Sequence, residues 1–119
     1  MRLVATEHEE QKAFVDWLKL KNLRHFCVAN ALKVGGVKLM AYLKAEGLTA
    51  GVPDMVIPYR TSEYGGLYVE MKKKGGRVKP NQAEWHRFLE SQNYFVQVCY
   101  SADEAIACTI RYMNGGVNK

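Results

Sequence analysis

The fold depends on two apolar segments that lie close together in the chain, Gly51-Val52-Pro53-Asp54-Met55-Val56-Ile57-Pro58 and Gly66-Leu67-Tyr68-Val69-Glu70-Met71-Lys72. Each holds a short apolar run with proline or glycine only at its ends, which is typical of a buried strand. The connection over residues 60–66 is polar and ends in glycine. We therefore expect the two strands to pair as a hairpin.

The residues on either side predict an alternation of helices and strands. Thr6 and Ser101 are each followed three residues later by glutamate, a capping box that begins a helix, and Pro80 suits the first turn of another helix. The predicted order is α-β-α-β-β-α-β-α. The helices begin at residue 7, cover 37–46, begin at residue 80 and run from 102 to about 113, and the first and fourth strands cover 23–29 and 94–100. No repeat or linker divides them, so residues 1–119 are predicted to form one mixed α/β domain.

Several apolar residues are predicted to lie in the core. Trp17 and Trp85 recur at helical spacing with other apolar residues, Phe88 among them, and are interpreted as core anchors before base-stacking platforms. Cys27 and Cys99 fall within predicted strands and are expected to be small core residues. The cysteines and histidines do not form the close-spaced pairs of a zinc site.

Composition and charge narrow the class of protein. With 119 residues, 48% hydrophobic and 24% charged, the chain has the balance of one globular domain. No apolar run approaches the roughly 18 residues that span a bilayer, and the first residues turn acidic too early for a signal peptide. An intracellular location is therefore expected. The 17 Lys and Arg exceed the 12 Asp and Glu, and five of the basic residues fall between Lys72 and Lys79, which favours a polyanionic partner.

The second strand carries an unusual pair of charges. Because side chains at i and i+2 face the same way, Glu70 and Lys72 project together from an otherwise apolar strand, and a hairpin would bring Asp54 near Glu70. Two convergent carboxylates without histidine or cysteine favour Mg²⁺ or Mn²⁺, which polarises a phosphoryl oxygen and lowers the pKa of a bound water. Lys72 would orient that water or neutralise developing charge. The alternative is an exposed ion pair on an edge strand, with Asp54 as a turn residue.

The linked motifs resemble a known family. Pro53-Asp54 followed by Glu70-Met71-Lys72 resembles the PD-(D/E)xK nuclease superfamily. More closely, the chain is similar to the small stand-alone VRR-Nuc domains of phages and bacteria, from about Glu7 to Glu104. The segments that carry this likeness are Leu43-Lys44-Ala45-Glu46-Gly47, Ala50-Gly51-Val52-Pro53-Asp54, Gly66-Leu67-Tyr68-Val69-Glu70-Met71-Lys72 and Gly76-Arg77-Val78-Lys79-Pro80-Asn81-Gln82.

The resemblance implies a restriction-endonuclease-like core, with a central mixed β-sheet flanked by helices. It implies that Asp54 and Glu70 are metal ligands, that Lys72 is the catalytic lysine and that the Met71 carbonyl points toward the metal. It also implies an acidic ligand from the first helix. Glu10 is the choice for that ligand and Glu7 the runner-up.

Further residues match family positions. Gln82 matches a glutamine of the helix after the lysine, where its amide would contact the attacking water, Lys72 or a phosphate, or would merely bond the backbone. Asn30 matches the asparagine of a Pro-Asn-Gly-Gly segment whose glycines are missing here, and is included among the DNA-binding residues. The others expected to bind the DNA backbone are Lys73, Lys74, Arg77 and Lys79.

The expected function is that of a divalent-metal-dependent DNA endonuclease of phage or bacterial cytoplasm. Without a recognisable base-reading motif, selectivity is expected to come from DNA shape, such as a four-way junction or another branch. The resemblance implies a homodimer with two sites. The alternative is a non-catalytic DNA-binding module that retains the nuclease fold.

Overall fold

The computed structural model describes residues 5–28 and 36–116, which contain four helices and four strands in the predicted order. Asn30 lies outside these residues. The helices are α1 (Glu7–Leu20), α2 (Val37–Ala45), α3 (Pro80–Ser91) and α4 (Ala102–Met113), and the strands are β1 (Phe26–Cys27), β2 (Met55–Ile57), β3 (Leu67–Met71) and β4 (Phe95–Cys99). None of the helices in these two ranges is long and apolar enough to cross a membrane.

The ends of the helices follow the chemistry of their capping residues. Thr6 and Glu9 form the predicted capping box at α1, with Thr6 Oγ1 accepting from the Glu9 amide and Glu9 Oε1 from the Thr6 amide. Ser101 Oγ accepts from the Glu104 amide at the start of α4. Asn93 has a φ of +67°, the left-handed conformation expected of a residue that ends α3.

The strands form a mixed sheet in the order β1-β2-β3-β4. The β1–β2 and β2–β3 pairs are antiparallel and the β3–β4 pair is parallel. The predicted hairpin is confirmed, because Met55 pairs with Val69 and Ile57 with Leu67. Since β3 lies between two strands, it is not the edge strand that an incidental ion pair would require.

Strand alternation divides the sheet into two faces. Val69 and Met71, with Met55 of β2 and Cys99 of β4, pack with Phe14 of α1 and Tyr112 of α4. Glu70 therefore projects to the opposite face, where His86 of α3 lies against it. This arrangement, with α1 and α4 on one face and α3 on the other, confirms the predicted sheet flanked by helices.

The core on the α1–α4 face holds the sheet in place. Phe14, Leu18 and Tyr112 are fully buried, and burial of each such side chain contributes about 1.5–3 kcal/mol. The Tyr112 hydroxyl donates to the Tyr59 carbonyl at 2.7 Å, and burial raises its pKa above the ordinary tyrosine value. Because the core fills the α1–α4 face of the sheet, the candidate active site lies on the opposite face, where Glu70 projects.

Two expectations about burial are wrong. Cys27 is exposed, because β1 is only two residues long and lies at the edge of the sheet. Phe88 is 52% exposed although it shares the apolar pattern of α3, whereas the adjacent Leu89 is 6% exposed. Cys99 is buried as expected, and its hydrogen bond with Cys108, together with burial, raises the pKa of its thiol above the ordinary value. Cys99 therefore remains a neutral core residue.

Candidate active site

Asp54 lies where β2 begins, beside the end of β3. Its Oδ2 accepts a hydrogen bond of 2.8 Å from the Met71 amide, and its backbone carbonyl accepts one of 2.7 Å from the Val28 amide. The side chain is thus held against the backbone between Glu70 and Lys72. Asp54 thus meets the β3 motif at the Met71 amide, and its convergence with the Glu70 carboxylate stays a prediction.

The Met71 carbonyl lies on the side of β3 that faces β2. Continuing the β2–β3 register by two residues from Met55 and Val69 places Pro53 opposite Met71. Proline has no N–H, so it cannot donate to the Met71 carbonyl as an ordinary ladder residue would. In an extended strand the N–H and C=O of one residue point to the same side, so this carbonyl points toward the side that carries Asp54.

Glu70 is a buried carboxylate. It is 2% exposed, and its Oε1 lies 3.5 Å from Nε2 of His86, at the outer limit of a hydrogen bond. Burial of a carboxylate costs several kcal/mol unless opposite charge and hydrogen bonds offset it. A carboxylate that is buried in the middle of a sheet at this cost indicates a functional site.

Lys72 follows directly after β3 and is half-buried. Its amide donates to the Cys99 carbonyl at 2.9 Å, which continues the β3–β4 pairing by one step. By strand alternation its side chain leaves the sheet on the same face as Glu70. The ammonium group therefore accompanies the two carboxylates at one end of the sheet.

Glu10 is placed differently. Its Oε1 accepts a hydrogen bond of 2.8 Å from the Ala102 amide at the N-terminus of α4, and the next residue, Gln11, donates to Met55 Sδ at 3.4 Å. In the part of the chain that the structure describes, no three His, Cys, Asp or Glu side chains form a group able to hold a metal ion. Glu10 is therefore not gathered into one cluster with Asp54 and Glu70. Its role as a metal ligand, like that of Glu7, stays a prediction.

Gln82 contributes to the start of α3. Its Oε1 accepts from the Lys79 amide at 2.9 Å, as a residue three positions into a helix often does. This contact is the backbone role that the sequence left open beside a catalytic one. The amide nitrogen of the same side chain remains the group for any contact with substrate.

His86 is the residue of this site that sequence reasoning did not assign. It lies one turn after Gln82 on the face of α3 that contacts the sheet, and only the packing of α3 on β3 brings it to Glu70. The spacing of four residues from Gln82 is the one signal that points to it, because such residues share a helix face.

The predicted basic residues occupy the connection between β3 and α3. Lys73, Lys74, Arg77 and Lys79 are all exposed, and Gly75 has a φ of +83° that a side chain would strain. We call the connection over residues 73–79 the basic loop. The basic loop begins directly after Lys72 and ends at the start of α3, and it holds four positively charged side chains.

The donors present fit a hard divalent ion. Mg²⁺ usually takes one or two carboxylates and completes its shell with water and substrate phosphate. Asp54 and Glu70, with the Met71 carbonyl between them, provide such a partial set of oxygen ligands. The absence of a larger cluster among residues 5–28 and 36–116 is compatible with an ion that keeps part of its water.

Comparisons with known proteins bear on the family and the fold of the chain. No curated protein matches the chain. Among solved structures, a chain described as a VRR_NUC domain protein is similar to it, with 24% identity, a TM-score of 0.79 and coverage of 98% of both chains, which supports the fold. The sequence model of the VRR-NUC domain matches residues 3–103. Because that match covers most of its length, this chain belongs to the VRR-NUC domain family, a family of nuclease type.

Proposed function

We propose that this protein is a divalent-metal-dependent DNA endonuclease. The observation that carries the proposal is the meeting of Asp54 with the β3 motif, where its carboxylate binds the Met71 amide beside the buried Glu70. Membership of a nuclease-type family supports the same chemistry. The proposed ion is Mg²⁺ or Mn²⁺, with Asp54, Glu70 and the Met71 carbonyl as ligands. Glu10 is proposed as a further acidic ligand, which requires its carboxylate to leave the Ala102 amide that it binds in this structure.

Each group has a part in hydrolysis of a phosphodiester. When bound, the divalent ion supplies Lewis-acid polarisation of the phosphoryl group. The Lys72 ammonium orients the attacking water and stabilises negative charge that develops on the phosphate. The Gln82 amide nitrogen would donate to the same phosphate or water. The basic loop holds the flanking phosphates, so that the scissile bond is presented in line with the water.

The proposed substrate is branched DNA, with a four-way junction as the leading candidate, and the proposed active form is a homodimer. The sequence holds no recognisable helix-turn-helix or zinc-finger motif, whereas an exposed basic loop beside the site favours recognition of backbone and shape. Two copies would place two sites on one junction. Sedimentation velocity tests the homodimer directly, because a monomer at working concentration contradicts it.

Cleavage assays with Lys72→Ala and Glu70→Gln test the proposal. Labelled four-way junction, 5′-flap and linear duplex DNA are incubated with Mg²⁺, with Mn²⁺ or with EDTA. We expect metal-dependent cutting that favours the branched DNA, and a loss of about a hundredfold or more in each variant, because each removes charge that stabilises the transition state. Binding of DNA in EDTA by Lys72→Ala should persist.

Lys44→Ala, an exposed change on α2, is the matched control and should cut normally. Tight binding without cutting under either metal would contradict the catalytic proposal and favour the non-catalytic binding module. Equal cutting by Lys72→Ala and the wild type would remove the lysine from the mechanism.

A further inference from the structure

The outer side of α3 carries an aromatic cleft that the proposed chemistry does not use. Glu84, Trp85 and Phe88 line a space of about 270 Å³, near the lower end of the volumes of ligand pockets. The two rings are nearly perpendicular, at 88°, with centroids 5.6 Å apart. Phe88 is 52% exposed, so one large aromatic face is presented to solvent rather than to the core. We call these three residues the aromatic cleft.

The aromatic cleft adjoins the candidate active site. A Cβ built on Gly51 would lie 3.2 Å from Cδ1 of Trp85, so the indole packs on the segment that leads into β2. Gly51 precedes Asp54 by three residues, which span at most about 11 Å. On the other side, Trp85 is followed by His86, whose Nε2 lies 3.5 Å from Glu70. The cleft therefore adjoins both the segment that leads to Asp54 and the residue that contacts Glu70.

Its surroundings indicate what it binds. The basic loop ends at Lys79, the N-cap of α3, so a DNA backbone held there would run toward the first turns of the same helix. Aromatic side chains stack on bases of any sequence, since every base has a π face. The Glu84 carboxylate disfavours phosphate in the cleft but accepts hydrogen bonds from an exocyclic amino group. These features together fit a nucleobase and not a phosphate.

We propose that the aromatic cleft stacks one unpaired nucleobase of the DNA substrate, with Phe88 as the exposed platform and Trp85 as its support. This inference rests on the proposed function and adds the source of its selectivity. A flap, or a junction opened at its branch point, offers unpaired bases, whereas a continuous duplex keeps its bases paired. Glu84 should favour adenine, cytosine or guanine over thymine, because thymine has no exocyclic amino group.

Binding measured in EDTA tests the cleft apart from cleavage. The probes are a single-stranded oligonucleotide and a blunt duplex, titrated against the wild type, Phe88→Ala and the matched control Ile110→Ala, an exposed apolar residue of α4. We expect Phe88→Ala to weaken single-strand binding about five- to a hundredfold and to leave duplex binding unchanged. Ile110→Ala should change neither affinity.

Fluorescence gives a second readout of the same contact. The chain has two tryptophans, and Trp17 lies on α1 on the other face of the sheet, stacked on Phe14. In Trp17→Phe, which leaves Trp85 as the sole tryptophan, the single strand should quench the emission and the duplex should not. A polycytidine strand should bind more tightly than a polythymidine strand, and Glu84→Ala should remove that difference.

Two results would overturn the inference. One is unchanged single-strand affinity and unquenched Trp85; the other is dissociation of a homodimer by Phe88→Ala, which would assign the cleft to a second copy. The proposed nuclease fails independently, if the wild type cuts no DNA with Mg²⁺ or Mn²⁺. If the wild type cuts branched DNA and Phe88→Ala leaves single-strand affinity unchanged, the nuclease proposal stands and the proposed role of the aromatic cleft is wrong.

Discussion

Single residues at the end of β3 explain why this sheet has a reactive edge. The β2–β3 ladder ends at Met55 and Val69, and beyond it the Asp54 side chain, not a backbone carbonyl, accepts from the Met71 amide. Pro53, just before Asp54, has no N–H to donate. Glu70 is 2% exposed in the central strand, where an aliphatic residue would be the stable choice. The residues proposed for catalysis are thus less favourable for folding stability than apolar residues would be at the same positions.

Variants of Glu10 test whether this carboxylate caps α4, binds the metal ion or does both. Glu10→Ala should lower the free energy of unfolding by about 1 kcal/mol, because the Ala102 amide at the N-terminus of α4 loses its 2.8 Å acceptor. Glu10→Gln keeps an oxygen acceptor and should lose less. Urea unfolding in EDTA measures both differences.

The same two variants separate the cap from the proposed ligand. If Glu10 binds the ion, Glu10→Gln should weaken Mn²⁺ binding in calorimetry although its stability is nearly retained. Unchanged Mn²⁺ affinity in Glu10→Gln would leave the residue with the capping role alone, and equal stability of all three proteins would contradict the cap.

Among the elements, α3 joins the parts of the site. Its first turn receives the basic loop, its sheet-facing side brings His86 to Glu70, and its outer side carries Phe88. The loop before β2 fits closely against this helix at Gly51, which has a φ of +93°. The close fit sets where Asp54 lies relative to α3.

Gly51→Ala should therefore disturb both stability and the site. The left-handed conformation costs about 1–2 kcal/mol for a residue with a Cβ, and the new Cβ would lie 2.9 Å from the Asn81 carbonyl oxygen, which adds about 1–3 kcal/mol of overpacking. Urea unfolding measures the total loss, and the cleavage assay should show lower activity.

Gly47→Ala is the matched control for this change. Gly47 has a φ of +111°, but a Cβ there meets nothing within 4 Å. Its cost should be that of the backbone conformation alone. If Gly51→Ala lowers the free energy of unfolding no more than Gly47→Ala does, the loop and α3 can move apart to accommodate the new Cβ without loss of stability.

For the whole molecule, the distribution of charge matters more than its total. The net charge of +5 is modest, yet the basic loop concentrates four exposed positive side chains beside the candidate site. Phosphate contacts release counterions, so each contact contributes about 0.9 to the slope of log affinity against log salt concentration. Local charge on one surface is therefore measurable as a salt dependence.

The double variant Lys73→Ala, Lys74→Ala should reduce the magnitude of that slope by about 1.8 if both side chains contact phosphate. Fluorescence anisotropy with a labelled four-way junction in EDTA, over a series of salt concentrations, measures the slope. Lys19→Ala, Lys21→Ala removes the same charge around the end of α1, on the other face of the sheet, and should leave the slope unchanged. Equal effects of the two variants would indicate a general attraction and not a binding loop.

Much of the fold could be predicted because it depends on local chemistry. The hairpin of β2 and β3, the capping box at Thr6, the Ser101 cap of α4 and the end of α3 near Asn93 follow from alternation, hydrogen-bonding side chains and backbone preference. The predicted capping box at Ser101 forms only in part, because the Glu104 carboxylate accepts from the Tyr100 amide. The motif of Asp54, Glu70 and Lys72 was also visible, because strand geometry alone predicts which side chains share a face.

Contacts between distant segments could not be predicted in this way. The bond from Ala102 to Glu10, the approach of His86 to Glu70 and the exposure of Phe88 depend on which helix packs on which face of the sheet. The exposure of Cys27 depends on the place of β1 at the edge of the sheet. Local patterns set an element's apolar side but not its neighbour, since packing energy is shared among many weak contacts over long separations. The chain's local chemistry thus specified its elements and reactive residues, and their packing assigned each residue its partner.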